Sequence, residues 1–222
     1  MNQKRESKTK AFKASQAITF TAHELGNNWN LSWKRDPKSV LFMLARYKFA
    51  SKMVTKNDDI LEIGCGEGIG SAMLASAAKS YTGVEHDEDT FKTLDRLCNQ
   101  NRKFLFHDIL DGPVISGTYN VAISLDVVEH VYPEYQELFI ENLCNSLSKR
   151  KSLLIIGSPS LESQTYASEV SKIGHVGCLT ASALEILVSR HVTRSFCFSM
   201  NDEIVHTGFS KMSHYNIVIG VM

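Results

Sequence analysis

The chain lacks any long apolar run: no window reaches the ~18 consecutive apolar residues that a membrane-spanning helix needs, so none is expected. Residues 1–16, MNQKRESKTKAFKASQ, are polar and basic and hold no apolar stretch of the kind a secretory signal requires. A flexible basic tail over residues 1–18 and a cytoplasmic protein without membrane association are the expectations. Internal repeats are absent. The five cysteines (65, 98, 144, 178 and 197) form an odd set without CxxC spacing, which suggests neither a disulfide framework nor a zinc site and fits reduced thiols. Net charge is absent too, with 24 Lys and Arg against 24 Asp and Glu, but its distribution is uneven. Residues 1–56 carry twelve basic side chains and three acidic ones. That surplus reads either as a solvated tail and helix face or as a means of holding an anionic substrate through Lys34, Arg35 and Lys38. A nucleic-acid groove is disfavoured, because no stacking platform is interleaved with the basic residues.

What is present suits one core. At 222 residues and 43% hydrophobic content, a single domain over 19–222 is expected, with a helical cap at 19–56. Asp36 followed by Pro37 reads as an N-cap and a first-turn proline, opening a helix that runs to about Met53. Strand-like runs then recur at 59–64, 80–85, 103–107, 119–126 and 152–157, with helical spacing at 69–79, 88–100 and 133–149. Ser182 and Glu185 have capping-box spacing near the start of a further helix at about 181–190. Two last strand-like runs, 193–199 and 214–221, flank a long polar loop and suggest a terminal antiparallel pair. The expected fold is α/β: a Rossmann-like, doubly wound, seven-stranded sheet, mostly parallel, with one antiparallel strand near the C-terminus.

The densest signal is the run Asp59-Ile60-Leu61-Glu62-Ile63-Gly64-Cys65-Gly66-Glu67-Gly68-Ile69-Gly70, a strand passing directly into a glycine-rich turn. Glycine permits positive φ and close approach of the backbone to a ligand. A dinucleotide fingerprint, G-x-G-x-x-G, would need glycine where Ile69 or Ser71 stands, which argues against NAD. The segment resembles the first motif of the class I S-adenosylmethionine (SAM) dependent methyltransferases, with Glu62 two positions before Gly64, Gly66 and Gly68. Gly83-Val84-Glu85 resembles the end of the family's second strand, and Phe106-His107-Asp108-Ile109 the end of its third. Tyr119 to Val131, which includes Asp126-Val127-Val128-Glu129-His130, resembles its fourth motif in the small-molecule version. The resemblance implies SAM as cofactor, held around Glu62, Gly64, Cys65, Gly66, Gly68, Glu85, His86, Asp108, Ile109 and Asp126. By the family pattern Glu85 takes the ribose hydroxyls and Asp108 the adenine amino group. Arg46, in Arg46-Tyr47-Lys48-Phe49-Ala50, pairs with the methionine carboxylate or is simply a surface arginine.

Alcohol acceptors need a base for their proton. His130, just beyond the fourth strand, is the first candidate and His206 the second, while His175 is a lid or pocket residue. The acceptor is expected to be a small molecule, anionic or sugar-like, methylated on a hydroxyl. Trp33, Lys34 and Arg35 on one side and Asn201 and Glu203 on the other are expected to wall its pocket. An amine acceptor, a macromolecular acceptor and a non-catalytic SAM-binding protein are the alternatives, and a homo-oligomer is left open. Base methylation in nucleic acid is disfavoured because Leu125-Asp126-Val127-Val128 stands where an Asn/Asp/Ser-Pro-Pro-aromatic motif belongs. No metal is expected, since Asp126 lacks the later Asp-Asn pair of metal-dependent catechol enzymes.

Overall fold

In the computed structural model, residues 26–148 and 151–222 are described; the expected tail, the first part of the expected cap (19–25) and residues 149–150 lie outside them. Two helices, α1 (Asn27–Arg35) and α2 (Pro37–Lys52), precede the sheet. The junction forms as its residues dictate: the Asp36 carboxylate accepts the Lys38 amide (3.1 Å) and Pro37 opens α2, where a missing N–H costs nothing.

Then strands and helices alternate: β1 (Asp59–Ile63), α3 (Ser71–Ala77), β2 (Ser80–Glu85), α4 (Glu88–Phe91), β3 (Arg102–Phe106), β4 (Val121–Leu125), α5 (Gln136–Ser146), β5 (Leu153–Pro159), α6 (Glu169–Gly174) and α7 (Ala181–Ser189). The chain ends with β6 (Arg194–Asn201), β7 (Ile204–His206) and β8 (Tyr215–Val221). Sheet order is β3-β2-β1-β4-β5-β8-β6-β7. The first five strands are mutually parallel, and β8 runs antiparallel between β5 and β6. The alternating geometry of a strand explains why these sequences are apolar throughout. Ile60, Ile123, Ile155 and Ile217 face a core beneath α2 and α3, while their neighbours Leu61, Ala122, Leu154 and Val218 face a second core with α5 and α7.

Three expectations are corrected. The sheet has eight strands rather than seven, because Ile204–His206 pairs back on Ser199–Asn201 as a hairpin. The helix expected at 88–100 is one turn of α-helix followed by a 3-10 turn at Asp95–Leu97, which buries Leu94 and Leu97 instead of continuing. The cap of α7 is Thr180, whose hydroxyl accepts the Ala183 amide (3.1 Å); Ser182 lies inside the first turn.

β1 pairs with β2 on one side and β4 on the other, so the chain reverses its direction of travel across the sheet between them. The carboxyl ends of β1 and β4 therefore flank the crevice where open α/β sheets take ligands.

Candidate active site

The turn leaving β1 is left-handed at Gly64, Gly66 and Gly68, with φ of 73°, 52° and 74°. Gly64 and Cys65 donate to the Val84 carbonyl (2.9 and 3.1 Å), and Gly66 donates to Glu85 Oε2 (3.0 Å). The other Glu85 oxygen accepts from the amides of His86 and Asp87, both at 2.9 Å. Glu85 is thus fixed at the end of β2 against the glycine turn by three backbone donors. Buried Cys65 has its thiol pushed up by burial, then by the charge of Glu62.

Glu62 does not reach the crevice. It is buried in β1 and accepts the Tyr81 hydroxyl. Burial pushes its carboxyl from the ordinary 4.5 up to about 7; the Tyr81 and Tyr47 hydroxyls oppose that shift and the Glu85 charge adds to it. Because the folded pKa is the higher one, the unfolded chain ionises first, and folding stability is lost as pH rises from 4.5 towards 7. Glu62→Gln should therefore become increasingly stable relative to the wild type across that window, with a constant difference above it. Denaturant midpoints that differ equally at pH 4.5 and pH 8 would contradict a raised Glu62 pKa.

Among the described residues, a smaller and a larger cavity open on the crevice. The first, about 280 Å³, is lined by apolar side chains that include Ile63, Val84, Ile109 and Phe139, and by His86 and Asp108. Asp108 also caps a 3-10 turn, its Oδ1 accepting the Leu110 amide (2.9 Å). The second, about 450 Å³, is lined by Asn28, Trp29 and Ser32 of α1, Arg46 and Tyr47 of α2, Gly66, Asp126, Glu129 and His175. Gly64 and His130 line both.

Arg46 and Asp126, brought together from α2 and the end of β4, form an ion pair (2.5 Å), with the guanidinium 3.8 Å above the Tyr215 ring. Arg46 is hence a lining residue and not a freely exposed one. Asp126 itself is left-handed, at φ 61°, an uncommon conformation that concentrates at functional sites. It leads into the 3-10 turn Val128–His130. Gln136 fastens that turn to the segment after α6, donating to the carbonyls of Val128 (3.0 Å), Val131 (3.3 Å) and Gly177 (2.7 Å). Glu129 is buried, and its carboxyl is held well above the usual range by burial, then by the Asp126 charge.

The residues expected to wall an acceptor pocket are placed otherwise. Trp33, Lys34 and Arg35 are exposed on α1, whose cavity-lining positions are Asn28, Trp29 and Ser32. His206, Asn201 and Glu203 line neither cavity. His206 bonds within its own hairpin, to Asn201 (3.2 Å) and the Gly208 amide (3.0 Å), and its strand is the sheet edge, four positions from β4. At roughly 4.8 Å per strand, that is on the order of 19 Å away. The sequence alone gave no means of ordering β6, β7 and β8 across the sheet.

Trp29, Glu67 and Glu129 were not among the residues singled out. Glu67 accepts the amides of Asn28 (3.0 Å) and Trp29 (3.2 Å), serving as the N-terminal cap that α1 lacks in its own sequence. No α1 side chain is buried, so this link matters to its docking. Glu67→Ala should cost α1 about 1 kcal/mol and speed amide exchange in 27–35, with the sheet unaffected; unchanged exchange there would mean that other contacts hold α1.

A family model described as a methyltransferase domain matches residues 60–150. The "Probable S-adenosylmethionine-dependent methyltransferase" of Mycolicibacterium smegmatis is 25% identical over 107 residues, covering 46% of this chain and 38% of its own length. A Mycobacterium tuberculosis protein of the same description is 26% identical over 102 residues, covering 46% and 36%. The match thus spans less than two-fifths of those relatives. Among solved structures, a Thermotoga maritima "SAM-dependent methyltransferase, possible histamine N-methyltransferase" superposes with a TM-score of 0.68 at 16% identity, covering 88% of this chain and 94% of that one. A methyltransferase in complex with the Haloferax volcanii Trm112 methyltransferase activator gives 0.65 at 12% identity, covering 86% and 96%. At such identities the likeness is one of fold alone. Joined to the domain match over 60–150, the glycine turn and the switch point between β1 and β4, it makes that part of the chain a methyltransferase domain similar to those of SAM-dependent methyltransferases.

Proposed function

We propose that the chain transfers the SAM methyl group to a hydroxyl oxygen of a small-molecule acceptor, sugar-like or anionic, bound in the larger cavity. The observation that carries this reading is the meeting of the two cavities at Gly64 and His130. A cofactor spread along the glycine turn and Glu85 would deliver its methyl carbon towards that junction. The larger cavity, at about 450 Å³, has the size of small-molecule sites and the mixture of flat apolar and charged walls they use.

In the transfer, an acceptor oxygen lone pair forms the new C–O bond while the C–S bond breaks, its electron pair remaining on sulfur. The hydroxyl proton must leave. His130 is the titratable side chain shared by both cavities, and its Nδ1 donates to the Gly174 carbonyl (2.8 Å), which leaves Nε2 with its lone pair available. Arg46 supplies positive charge for an anionic acceptor in the same cavity. An amine acceptor would use the same cavity and needs only a neutral nitrogen.

The test is incubation of the chain with methyl-labelled SAM and an extract separated into metabolite, RNA and protein fractions. Label in a metabolite, stable to conditions that cleave esters, supports an ether or an amine product, and fragmentation of the labelled metabolite by mass spectrometry assigns the methyl group to oxygen or nitrogen. Label confined to RNA or protein overturns the small-molecule reading, and no label anywhere would point to a SAM-binding protein without transfer.

A further inference from the structure

No metal is expected from the sequence, but three candidate ligands from separate parts of the chain converge in space. Glu129, His130 and His175 offer one ligand atom each, all within 4.8 Å of one another, in the wall of the larger cavity. We propose that these three side chains bind one divalent first-row transition-metal ion.

Three observations carry the proposal. The first is the carboxylate: Glu129 is 1% exposed and neither of its oxygens has a hydrogen-bond partner. A buried, unpartnered carboxyl group is unfavourable and needs a donor or a cation. Ser158 and Arg46 lie close enough to favour its charged form, but the Ser158 hydroxyl meets the Pro159 carbonyl (3.2 Å) and Arg46 Nη1 is on Asp126 (2.5 Å), so neither makes a full hydrogen bond to it.

The second observation is the orientation of the two imidazoles. His130 Nδ1 donates to the Gly174 carbonyl (2.8 Å), and His175 Nδ1 contacts Gln164 Oε1 (2.8 Å). The Gln164 amide nitrogen faces the Ser160 carbonyl (3.3 Å) and Ser163 hydroxyl (3.4 Å), which assigns Oε1 as the acceptor towards His175. Each ring thus holds its proton on Nδ1 and presents Nε2 as a lone pair. Carbonyl oxygens behind the far nitrogen of metal-binding histidines play this part, fixing tautomer and ring direction.

The third observation is that the two segments are already joined. The Gly177 amide donates to the Glu129 carbonyl (2.8 Å), Gln136 bridges Val128 and Gly177, and the two rings meet edge to face with centroids 5.1 Å apart. Bonds of about 2.0–2.2 Å would draw the donor atoms together by roughly 1 Å, within the reach of side-chain adjustment. Two imidazoles and one carboxylate select manganese, iron, cobalt, nickel or zinc over magnesium or calcium, which prefer all-oxygen sets. An ion there would occupy His130 Nε2 in place of a proton, and would instead polarise an acceptor hydroxyl in the same cavity so that its proton is lost to water. That role rests on the proposed function, whereas the binding does not.

The experiment uses the full chain, stripped with chelator and dialysed, with neither SAM nor acceptor present. Titration with Co²⁺ should give one ion per chain, visible d–d bands and a raised melting temperature; competing Zn²⁺ should remove the bands, and chelator both the bands and the rise in melting temperature. Glu129→Gln and His175→Ala should each weaken Co²⁺ binding tenfold or more and abolish the shift in melting temperature. SAM affinity, measured on both variants, is the control for folding; should His175→Ala fail it, His175→Gln replaces it. Absence of a stoichiometric Co²⁺ complex in the wild type, or binding unchanged in both variants, overturns the proposal. Methyl transfer to a metabolite without Co²⁺ binding would remove the metal site and leave the proposed function standing. Binding without any methylated metabolite would do the reverse.

Discussion

Gly66→Val should lower SAM affinity by roughly a hundredfold or more, about 2.7 kcal/mol, while leaving a folded chain. Two features of the position combine to that end. Its φ of 52° lies in the left-handed region, where a β-branched residue is strained by about 1–3 kcal/mol. A Cβ built there meets nothing within 4 Å, so the protein itself leaves room for the side chain. The room belongs to the larger cavity, which by the proposed reading takes the methionine end of the cofactor along the glycine turn as well as the acceptor, beside the amide that binds Glu85. A valine would therefore fill ligand space rather than break packing. Gly64 offers the contrast: a Cβ there would come within 2.3 Å of Val127 Cγ2, so substitution should impair folding before binding can be asked about. Calorimetry with SAM on Gly66→Val, next to its thermal melt, separates the two cases. Undiminished affinity in a well-folded Gly66→Val would show that this turn does not hold the cofactor.

The parts of this architecture that were legible in the sequence are those set by neighbours in the chain. β1, β4 and β5 announce themselves as apolar runs because both of their faces are buried, and the Asp36-Pro37 cap works within one turn. The glycine turn and the acid ending β2 are equally local. Elements fixed by tertiary contact were less so. β7 is three residues long, lies in a polar stretch, and is reached through a two-residue turn, Asp202-Glu203, without glycine; Asp202 takes the left-handed conformation itself at φ 53°. The 88–100 segment carries helical spacing, yet Leu94 and Leu97 are drawn under the glycine turn, close to Gly68, and the helix stops.

The acceptor side was the least legible for the same reason. Its walls come from α1, α2, the turn after β4 and the segment after α6, and no spacing rule connects His175 to Glu129 and His130, which it meets only in the fold. Glu129 was visible as part of a motif, but its burial without a partner is a property of the folded chain. Conversely, the polar 201–208 loop looked functional because polarity in a long connection often marks a site. Its polar groups satisfy one another instead, as in Asn201 with His206 and with the Met212 carbonyl (3.1 Å).

That contrast sets the last prediction, made on the metabolite labelled in the extract assay. His130→Ala should reduce kcat by about 10²–10⁴, the usual worth of a positioned group that handles a proton, and His206→Ala should leave kcat and KM at wild-type values. His130 stands where the two cavities meet, its ring fixed by Gly174, so its loss removes the group nearest the reacting atoms by this geometry without unfastening the turn that Gln136 holds. SAM affinity should change little, because Glu85 and the glycine amides lie on β2 and the turn after β1. A loss expressed in kcat with SAM binding intact is the signature of an interaction made in the transition state rather than in the ground state. Full turnover in His130→Ala would take this residue out of the chemistry. A collapse of kcat in His206→Ala would mean that the edge hairpin, on the order of 19 Å from β4 by strand spacing, moves to the site during turnover.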